Sequence, residues 1–237
     1  MNNSAGEKVS TVGVDGIILF GDSVLAGTGA SDRQLGCGKL IKDQLEIPVS
    51  IRSRNRDTSE FGLKRISEDV LAQQKHSHVL VLFGNNDCWV TEQLRPAISI
   101  KNFEKNLIEI SRLIQRNSKQ PLLCNLQPIE NTNFFESFPE YQRYRDSIGL
   151  DPYKWQAKYS QRIERVSEIL SLPLIDIRTP LLNSIGVAIA NDGLHPNDLG
   201  HSIIAKKILE VLGGISKQPN SSRFECQQQE PGSDHRH

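Results

Sequence analysis

Five segments of the chain have the hydrophobic pattern of β-strands. Residues 17–20 and 79–83 are apolar throughout, which is typical of strands buried on both faces of a parallel sheet. Residues 47–52 alternate between apolar and polar side chains, which favours an edge strand. Residues 122–126 and 172–177 are the fourth and fifth predicted strands. The pattern therefore predicts one sheet with its most apolar strands in the interior.

Apolar residues at helical spacing separate these strands. The predicted helices cover residues 33–45, a segment that starts close to Thr58, residues 100–117 and residues 155–170, with a short helical piece near 180–190. Asp57 and Glu60 have the spacing of a capping box at the start of the second helix.

A last helix is predicted after Pro196, which would occupy its first position. Strands that alternate with helices indicate βαβ units, a parallel sheet and helices on both of its faces. Right-handed crossovers leave few topologies, and an edge-like second strand beside buried first and third strands favours the order 2-1-3-4-5. We therefore expect an α/β fold with a five-stranded parallel sheet.

The chain has 237 residues and no internal repeat, which favours one domain. Small polar residues predict a flexible arm at 1–14, and the domain is expected at 15–212. Residues 129–150 have no clean period and exceed ordinary loop length, so we interpret them as a lid or specificity insert, in part helical. Residues 213–237 contain few apolar side chains, which predicts a disordered tail.

Charge and cysteine content limit the partners and the compartment. The 28 basic and 28 acidic residues give zero net charge, so neither nucleic acid nor an anionic membrane is an expected partner. No run of about 18 apolar residues is long enough for a spanning helix, and residues 1–16 lack the pattern of a secretory signal. The four cysteines are widely separated, as is typical of free thiols in a reducing compartment. We expect a cytoplasmic protein without stable membrane insertion.

Three polar clusters lie at the carboxyl ends of predicted strands or beside them and could carry chemistry. Ser23 stands at the carboxyl end of the first strand, which is where open α/β sheets bind ligands. Asp192 and His195 are three residues apart at the start of a predicted helix, so one turn could bring the carboxylate under the imidazole. Asn86 follows the third strand, and its amide could donate to an oxyanion. Each cluster alone also fits an ordinary turn or helix start, and their combination favours catalysis.

These residues resemble three of the four sequence blocks of the SGNH (GDSL) hydrolases. The blocks are Gly21-Asp22-Ser23, Gly84-x-Asn86-Asp87 and Asp192-x-x-His195, in the family's order. The resemblance implies a flavodoxin-like three-layer α/β/α fold and metal-independent hydrolysis of esters or thioesters without a cofactor. It also implies that Ser23 is the nucleophile, His195 the general base and then acid, and Asp192 its orienting partner. Ser23 and Asn86 would be oxyanion donors.

The remaining block departs from the family pattern. Alignment of Asp57-Thr58-Ser59 puts Arg56 where the family usually has a glycine that donates its backbone N–H to the oxyanion. Arg56 retains a backbone N–H and is therefore expected as a further oxyanion donor, although a glycine there could serve a positive φ that arginine tolerates poorly. The run of Arg52, Arg54 and Arg56 is interpreted as a solvated edge, and the alternative is that Arg56 recognises an anionic group of a substrate.

The leading hypothesis is a serine esterase that acts on a small-molecule ester through an acyl-enzyme. Residues 17–90 also resemble the bacterial thioesterase and lysophospholipase branch of the family, through Arg56-Asp57-Thr58-Ser59 and Gly62-Leu63, so thioesters and lysophospholipids are possible substrates. Aromatic residues of the insert could equally line a sugar or aryl site. Two alternatives are an acyltransferase on the same site and a non-catalytic binding protein with Arg56 in the oxyanion block.

Overall fold

Five parallel strands form the single sheet of the described chain. The computed structural model describes residue 11, residues 13–149 and residues 151–215. The strands lie in the order β2-β1-β3-β4-β5, as the sequence predicts. They are β1 (Ile17–Gly21), β2 (Val49–Ser53), β3 (His78–Leu82), β4 (Gln120–Cys124) and β5 (Leu174–Ile175). In the register, Gly21 lies between Ser53 and Leu82. The carboxyl ends of the first three strands therefore meet at one edge.

Helices cover both faces of the sheet. On one face α1 packs on α9, and on the other face α3 packs on α2 and on α6. A 3₁₀ turn at Arg33–Leu35 precedes α1, and α2 continues into a π-helical turn at Ser67–Leu71. The helices are α1 (Cys37–Gln44), α2 (Ser59–Ile66), α3 (Ile100–Arg116), α4 (Asn131–Ser137), α5 (Tyr141–Ile148), α6 (Pro152–Leu170), α7 (Arg178–Leu182), α8 (Ile185–Ala188) and α9 (Asp198–Ile215). This is the three-layer α/β/α arrangement.

The burial of the strands follows the hydrophobic pattern. Every residue of β1 and β3 is buried, whereas β2 is buried only at its first residue and lies at the edge of the sheet. The insert between β4 and α6 has a small core of its own around Phe134, Tyr141 and Val90. Most of its aromatic side chains therefore pack together, and Phe138 is the insert aromatic that lines the cavity described below.

Two helix starts differ from the prediction. Thr58 is the N-cap of α2 and accepts a hydrogen bond from the backbone N–H of Phe61, whereas Asp57 bonds to Arg65 and does not form the expected capping box. Pro196 is not the first residue of α9, because it forms a β-bridge with Ile189. The side chain of Asn197 accepts from the N–H of Gly200 instead, and so begins the helix.

The last strand is shorter than predicted. β5 contains only Leu174 and Ile175, whereas the sequence indicates residues 172–177. Asp176 leaves the ladder because its side chain accepts hydrogen bonds from Asn125 and from the N–H of Thr179, which starts α7. A polar side chain that bonds to the local backbone competes with strand pairing in this way.

The ends of the chain lie largely outside the described residues. This holds for residues 1–10 and 12 of the predicted arm, and for residues 216–237 of the predicted tail, which include Cys226. Residues 213–215 belong to α9. Cys37, Cys88 and Cys124 are free and buried. Among the described helices, none is both long enough and apolar enough to cross a bilayer.

A buried arginine joins β1, β2 and α2 beneath the site. The guanidinium of Arg65 donates to the carbonyls of Arg52 and Gly21 and pairs with Asp57 and Asp69 at 2.6 and 2.7 Å. Its side chain is only 7% exposed. Removal of one partner of such a pair leaves the other charges buried without compensation.

We predict that Arg65→Ala lowers the free energy of unfolding by about 3–5 kcal/mol, because two carboxylates and two strand-end carbonyls each lose a buried donor. Urea titration measures this loss. The neighbouring variant Lys64→Ala is the control, since Lys64 forms an exposed ion pair with Glu60 and such pairs contribute below about 1 kcal/mol. Equal losses in the two variants would contradict the assigned role of Arg65.

Candidate active site

Ser23 lies in the loop that follows β1. Gly21 allows the end of β1 to lie close to β3, because a Cβ at position 21 would lie 2.4 Å from the carbonyl oxygen of Leu82 on β3. The side chain of Asp22 then accepts from the N–H of Val24 at 3.1 Å and sets the turn. Ser23 is 7% exposed, so its hydroxyl is sheltered but reachable.

His195 and Asp192 come from the loop between α8 and α9. Asp192 Oδ1 accepts from the backbone N–H groups of Leu194 and His195, both at 2.9 Å, and its Oδ2 lies 2.6 Å from His195 Nδ1. The sequence suggested that the first turn of a helix would bring the carboxylate to the imidazole. In the structure an Asx-type turn brings these two groups together instead. His195 Nε2 lies 3.0 Å from Ser23 Oγ. The structure thus brings the three side chains into one hydrogen-bonded line.

The environment of Asp192 favours its charged form. Burial raises the pKa of its carboxyl, but hydrogen bonds from the His195 ring and from the N–H groups of His195 and Leu194 outweigh burial and bring the net pKa below its ordinary value. In a neutral imidazole, a carboxylate that accepts from Nδ1–H selects the tautomer with a lone pair at Nε2. An imidazole in this tautomer can accept the proton of a serine hydroxyl.

Arg56 and Asn86 lie beside this line. Arg56 adopts φ +66° in the turn between β2 and α2, which is the left-handed conformation that favours glycine. Within the described chain, the backbone N–H groups of Arg56 and Ser23 have no hydrogen-bond acceptor. Asn86 Nδ2 donates one hydrogen to the carbonyl of Asp57 at 2.9 Å, and its second N–H is available to a ligand.

The five predicted site residues occupy one region. Ser23, Arg56, Asn86 and His195 line a cavity of about 630 Å³, and Asp192 is bonded to His195. The apolar part of the cavity wall consists of Trp89, Ala97, Phe138 and Leu194. The other lining residues are polar and uncharged, namely Thr28, Asn55, Thr58, Asn85 and Gln127.

A buried side-chain network supports the site from below. Asn85 Nδ2 donates to Asp22 Oδ2 at 3.0 Å and to Gln127 Oε1 at 3.2 Å. Asn85 Oδ1 accepts from Gln156 of α6 at 2.9 Å. Gln127 Nε2 in turn donates to the carbonyl of Leu194, the residue before His195. The network therefore joins the loops after β1, β3 and β4 to the loop that carries the imidazole.

Sequence reasoning missed the roles of Gln127, Gln156 and Arg178. Arg178 is buried and donates from Nη1 to Gln156 Oε1 at 2.9 Å, which extends the network to α7. The signal in the sequence was a polar side chain among apolar neighbours that are predicted to be buried. Gln127 follows the apolar fourth strand, and Gln156 is a fully buried residue between Trp155 and Tyr159 of α6.

Two buried carboxyl groups have raised pKa values. Burial raises the pKa of Asp22 to about 6 and that of Asp87 to about 7, although hydrogen bonds to each carboxylate act in the opposite direction. Asp87 accepts from the backbone N–H and the hydroxyl of Ser59, so it holds the start of α2 against the loop after β3. Both carboxyl groups therefore hold neighbouring backbone N–H groups in place.

Among the other histidines and cysteines that the structure describes, His201 and Cys88 have structural contacts. His201 accepts from the N–H of Cys37 at Nδ1 and bonds through Nε2 to the carbonyl of Thr28, so it links α9, α1 and the loop after Ser23. Burial raises the pKa of Cys88 above its ordinary value, which disfavours a thiolate. The described residues contain no cluster of potential metal ligands.

We predict that Asp87→Asn flattens the dependence of stability on pH between about pH 4 and pH 7. Because the folded-state pKa of about 7 exceeds the ordinary value of 3.8, the stabilising contribution of Asp87 is complete below about pH 4 and is lost as the pH rises through 7. The shift corresponds to a change on the order of 4 kcal/mol across this range.

Urea titrations of the wild type and of the variant across this pH range measure the difference in slope. Asp43→Asn is the control, since it removes one carboxyl group from an exposed position on α1. Its slope should follow that of the wild type. A slope for Asp87→Asn that matches the wild type would contradict the prediction.

We also predict that Gly193→Ala destabilises the chain by at least about 2 kcal/mol. Gly193 has φ +69°, and an added Cβ would lie 2.2 Å from the backbone nitrogen of Phe134. Gly186→Ala is the matched control, because no atom lies within 4 Å of its added Cβ. Thermal or urea unfolding of both variants measures the difference, and a neutral Gly193→Ala would contradict the close packing of the insert on this loop.

The chain belongs to the GDSL-like Lipase/Acylhydrolase family, whose sequence profile matches residues 19–203. Membership of this family supports the hydrolysis of ester bonds as the activity, and the expected relation to the SGNH (GDSL) hydrolases is confirmed. The chain is also 25% identical over 174 residues to the uncharacterized lipoprotein YqeF of Bacillus subtilis (strain 168). The match covers 69% of this chain and 71% of YqeF.

Solved structures of proteins named as a lipase/acylhydrolase or as esterases share the fold. The lipase/acylhydrolase from Enterococcus faecalis has a TM-score of 0.66 at 23% identity, over 86% of this chain and 99% of that chain. The psychrotrophic esterase EstA from Pseudoalteromonas sp. has a TM-score of 0.63 at 22% identity, over 85% and 98%. A catalytic mutant of Axe2, an acetylxylan esterase from Geobacillus stearothermophilus, has a TM-score of 0.64 at 18% identity, over 86% and 96%. At these identities the similarity establishes the fold.

Proposed function

We propose that the chain is a serine hydrolase that cleaves carboxylic esters through an acyl-enzyme intermediate. One observation carries the proposal. Ser23 Oγ, His195 and Asp192 form a continuous hydrogen-bonded path, with contacts of 3.0 Å at Nε2 and 2.6 Å at Nδ1. This is the arrangement by which an alcohol becomes a nucleophile without a metal ion.

In the first half-reaction, His195 Nε2 accepts the hydroxyl proton while Ser23 Oγ bonds to the acyl carbon. Asp192 holds Nδ1–H and stabilises the imidazolium that forms. The oxyanion would be bound by the backbone N–H groups of Ser23 and Arg56 and by the free N–H of Asn86. Their lack of acceptors within the described chain supports this role.

The positive φ of Arg56 bears on the departure from the family pattern. A left-handed backbone at this position supports the interpretation that the family's glycine serves this conformation, and Arg56 adopts it at a cost of about 1–2 kcal/mol. The N–H of Arg56 therefore remains available as a donor. This favours a catalytic site over the alternative of a non-catalytic binding protein.

The second half-reaction releases the acid. It begins once the leaving alcohol has taken the proton from His195 and its bond to the acyl carbon has broken. Water then attacks the acyl carbon while His195 accepts a proton from it, and the bond to Ser23 Oγ breaks as His195 returns that proton to Ser23. An acceptor alcohol in place of water would give the acyltransferase alternative, which predicts a rate that rises with the concentration of added acceptor.

The cavity sets the scale of the substrate. Its volume of about 630 Å³ lies in the range of small-molecule sites, and its apolar wall suits a short acyl chain or an aryl group. Thioesters and lysophospholipids remain candidate substrates. The cytoplasmic location stays a prediction, and the relative YqeF is by name a lipoprotein.

We predict that Ser23→Ala lowers kcat on a short-chain aryl ester by at least about three orders of magnitude, because no other group supplies the nucleophile. The variant His195→Ala should lose about as much, and the double variant should lose no more than Ser23→Ala alone, since the residues act as a unit. Steady-state kinetics with circular dichroism as a folding check measures both. Ser202→Ala, on the exposed side of α9, is the control.

A fluorophosphonate probe tests the same assignment independently of the substrate. The wild type should become labelled at Ser23, located by mass spectrometry, and Ser23→Ala should not. A folded wild type that neither reacts with the probe nor hydrolyses any ester would contradict the proposal and would favour the binding-protein alternative.

A further inference from the structure

The cavity has a one-sided charge. Among its lining residues Arg56 is the one with a permanent charge, and none is a carboxylate. Asp192 faces the Nδ1 side of His195, and the buried carboxyl groups of Asp22 and Asp87 bond to protein groups. A ligand in the cavity therefore meets one positive charge and no facing negative charge.

Arg56 differs from the other arginines around it. Arg54 pairs with Asp69 at 3.1 Å, and Arg52 lies 4.0 Å from the same carboxylate. Arg65 also pairs with Asp69, and with Asp57. Arg56 is an exposed residue, and its side chain forms no ion pair with any described residue. Asp57 and Asp69 are thus engaged by other arginines, and Arg56 has no ionic partner within the described part of the chain.

The backbone of Arg56 adds a second argument. At φ +66° a glycine would be free of strain, so an arginine costs stability at this position. Natural chains depart from local preference mainly at functional sites. The cost therefore points to a use for the side chain, beyond the backbone N–H that any residue except proline would supply.

The strand order separates the two halves of the cavity. Arg56 and Asn55 follow β2, on one side of Ser23, which follows β1. The apolar residues Trp89 and Phe138 follow β3 and β4, on the other side. A substrate that spans the site thus meets an apolar wall on one side of the nucleophile and a cation on the other.

We propose that Arg56 is a specificity-determining residue that binds a carboxylate of the substrate, so that this hydrolase prefers carboxylate-bearing esters to neutral esters of the same size. The inference rests on the proposed ester hydrolysis. One guanidinium balances a monoanion, and its planar pair of N–H donors matches a carboxylate. The preference for the anionic ester comes from binding of its carboxylate by the Arg56 side chain. This role is additional to that of the Arg56 backbone N–H at the oxyanion.

Two matched pairs of esters test the proposal. Mono(4-nitrophenyl) succinate and 4-nitrophenyl butyrate share chain length and leaving group, and differ in a carboxylate on the acyl side. The compounds 4-acetoxybenzoate and 4-acetoxybenzamide place the difference on the leaving-group side. The readout is the ratio of kcat/KM for the anionic ester to that for the neutral ester, in which any change common to both substrates cancels.

We predict that Arg56→Gln lowers this ratio about tenfold in at least one pair, which corresponds to about 1.4 kcal/mol. Arg56→Lys should retain part of the ratio, because it keeps the charge but not the planar fork. Added salt should reduce the ratio of the wild type, as expected for an exposed cation. Arg54→Gln is the matched control, since Arg54 belongs to the same arginine run and is paired with Asp69.

The outcomes separate this proposal from the proposed function. A ratio for Arg56→Gln within about twofold of the wild type in both pairs overturns the role of Arg56, even if neutral esters are hydrolysed normally. An equal fall of the ratio in Arg54→Gln also overturns the role of Arg56, because the summed positive charge of the arginine run would then explain the preference. Absence of wild-type hydrolysis of every ester overturns the proposed function itself.

Discussion

The side-chain amide of Asn85 is the interaction on which the arrangement of the site depends. It is buried, and it bonds at once to Asp22, Gln127 and Gln156. Each such bond contributes only about 1 kcal/mol net, but an unsatisfied buried partner costs about 1–3 kcal/mol. Loops that would otherwise move independently at the edge of the sheet are therefore restricted to one arrangement. Ser23 follows Asp22 directly, and Gln127 reaches the loop of His195, so the spacing between hydroxyl and imidazole depends on this amide.

Much of the fold and the position of the site could be predicted from the sequence. The apolar runs of β1 and β3 specify buried parallel strands, and the alternation around Ile51 specifies an edge, so the strand order follows from few alternatives. Parallel strands in register end at a common edge. Ser23 and Asn86 each follow such an end, which is why residues 63 positions apart in the chain could be expected in one cavity.

Contacts between distant side chains could not be predicted. Asp57 has the right spacing for a cap, but it bonds to Arg65, a partner that helical periodicity does not identify. The local spacing predicted the contact between Asp192 and His195. It did not predict the backbone between them, which is an Asx-type turn that ends before α9 begins. Charge pattern alone also could not separate Arg56 from Arg54, because the difference lies in the position of Asp69 on another element. A periodic pattern records which face is buried, and it does not record polar pairing across the fold.

The contact between Gly193 and the insert joins the insert to the loop that carries His195. The carbonyl of Gly193 accepts from the N–H of Glu130 at 2.8 Å, and its missing Cβ leaves room for the first turn of α4. The same loop carries His195 two residues later. An exchange of the insert between related chains would therefore have to preserve this contact. A graft that does not reproduce this backbone contact would change the walls of the cavity and would also shift the imidazole. The insert and the loop that carries Gly193 and His195 would therefore have to be transferred together.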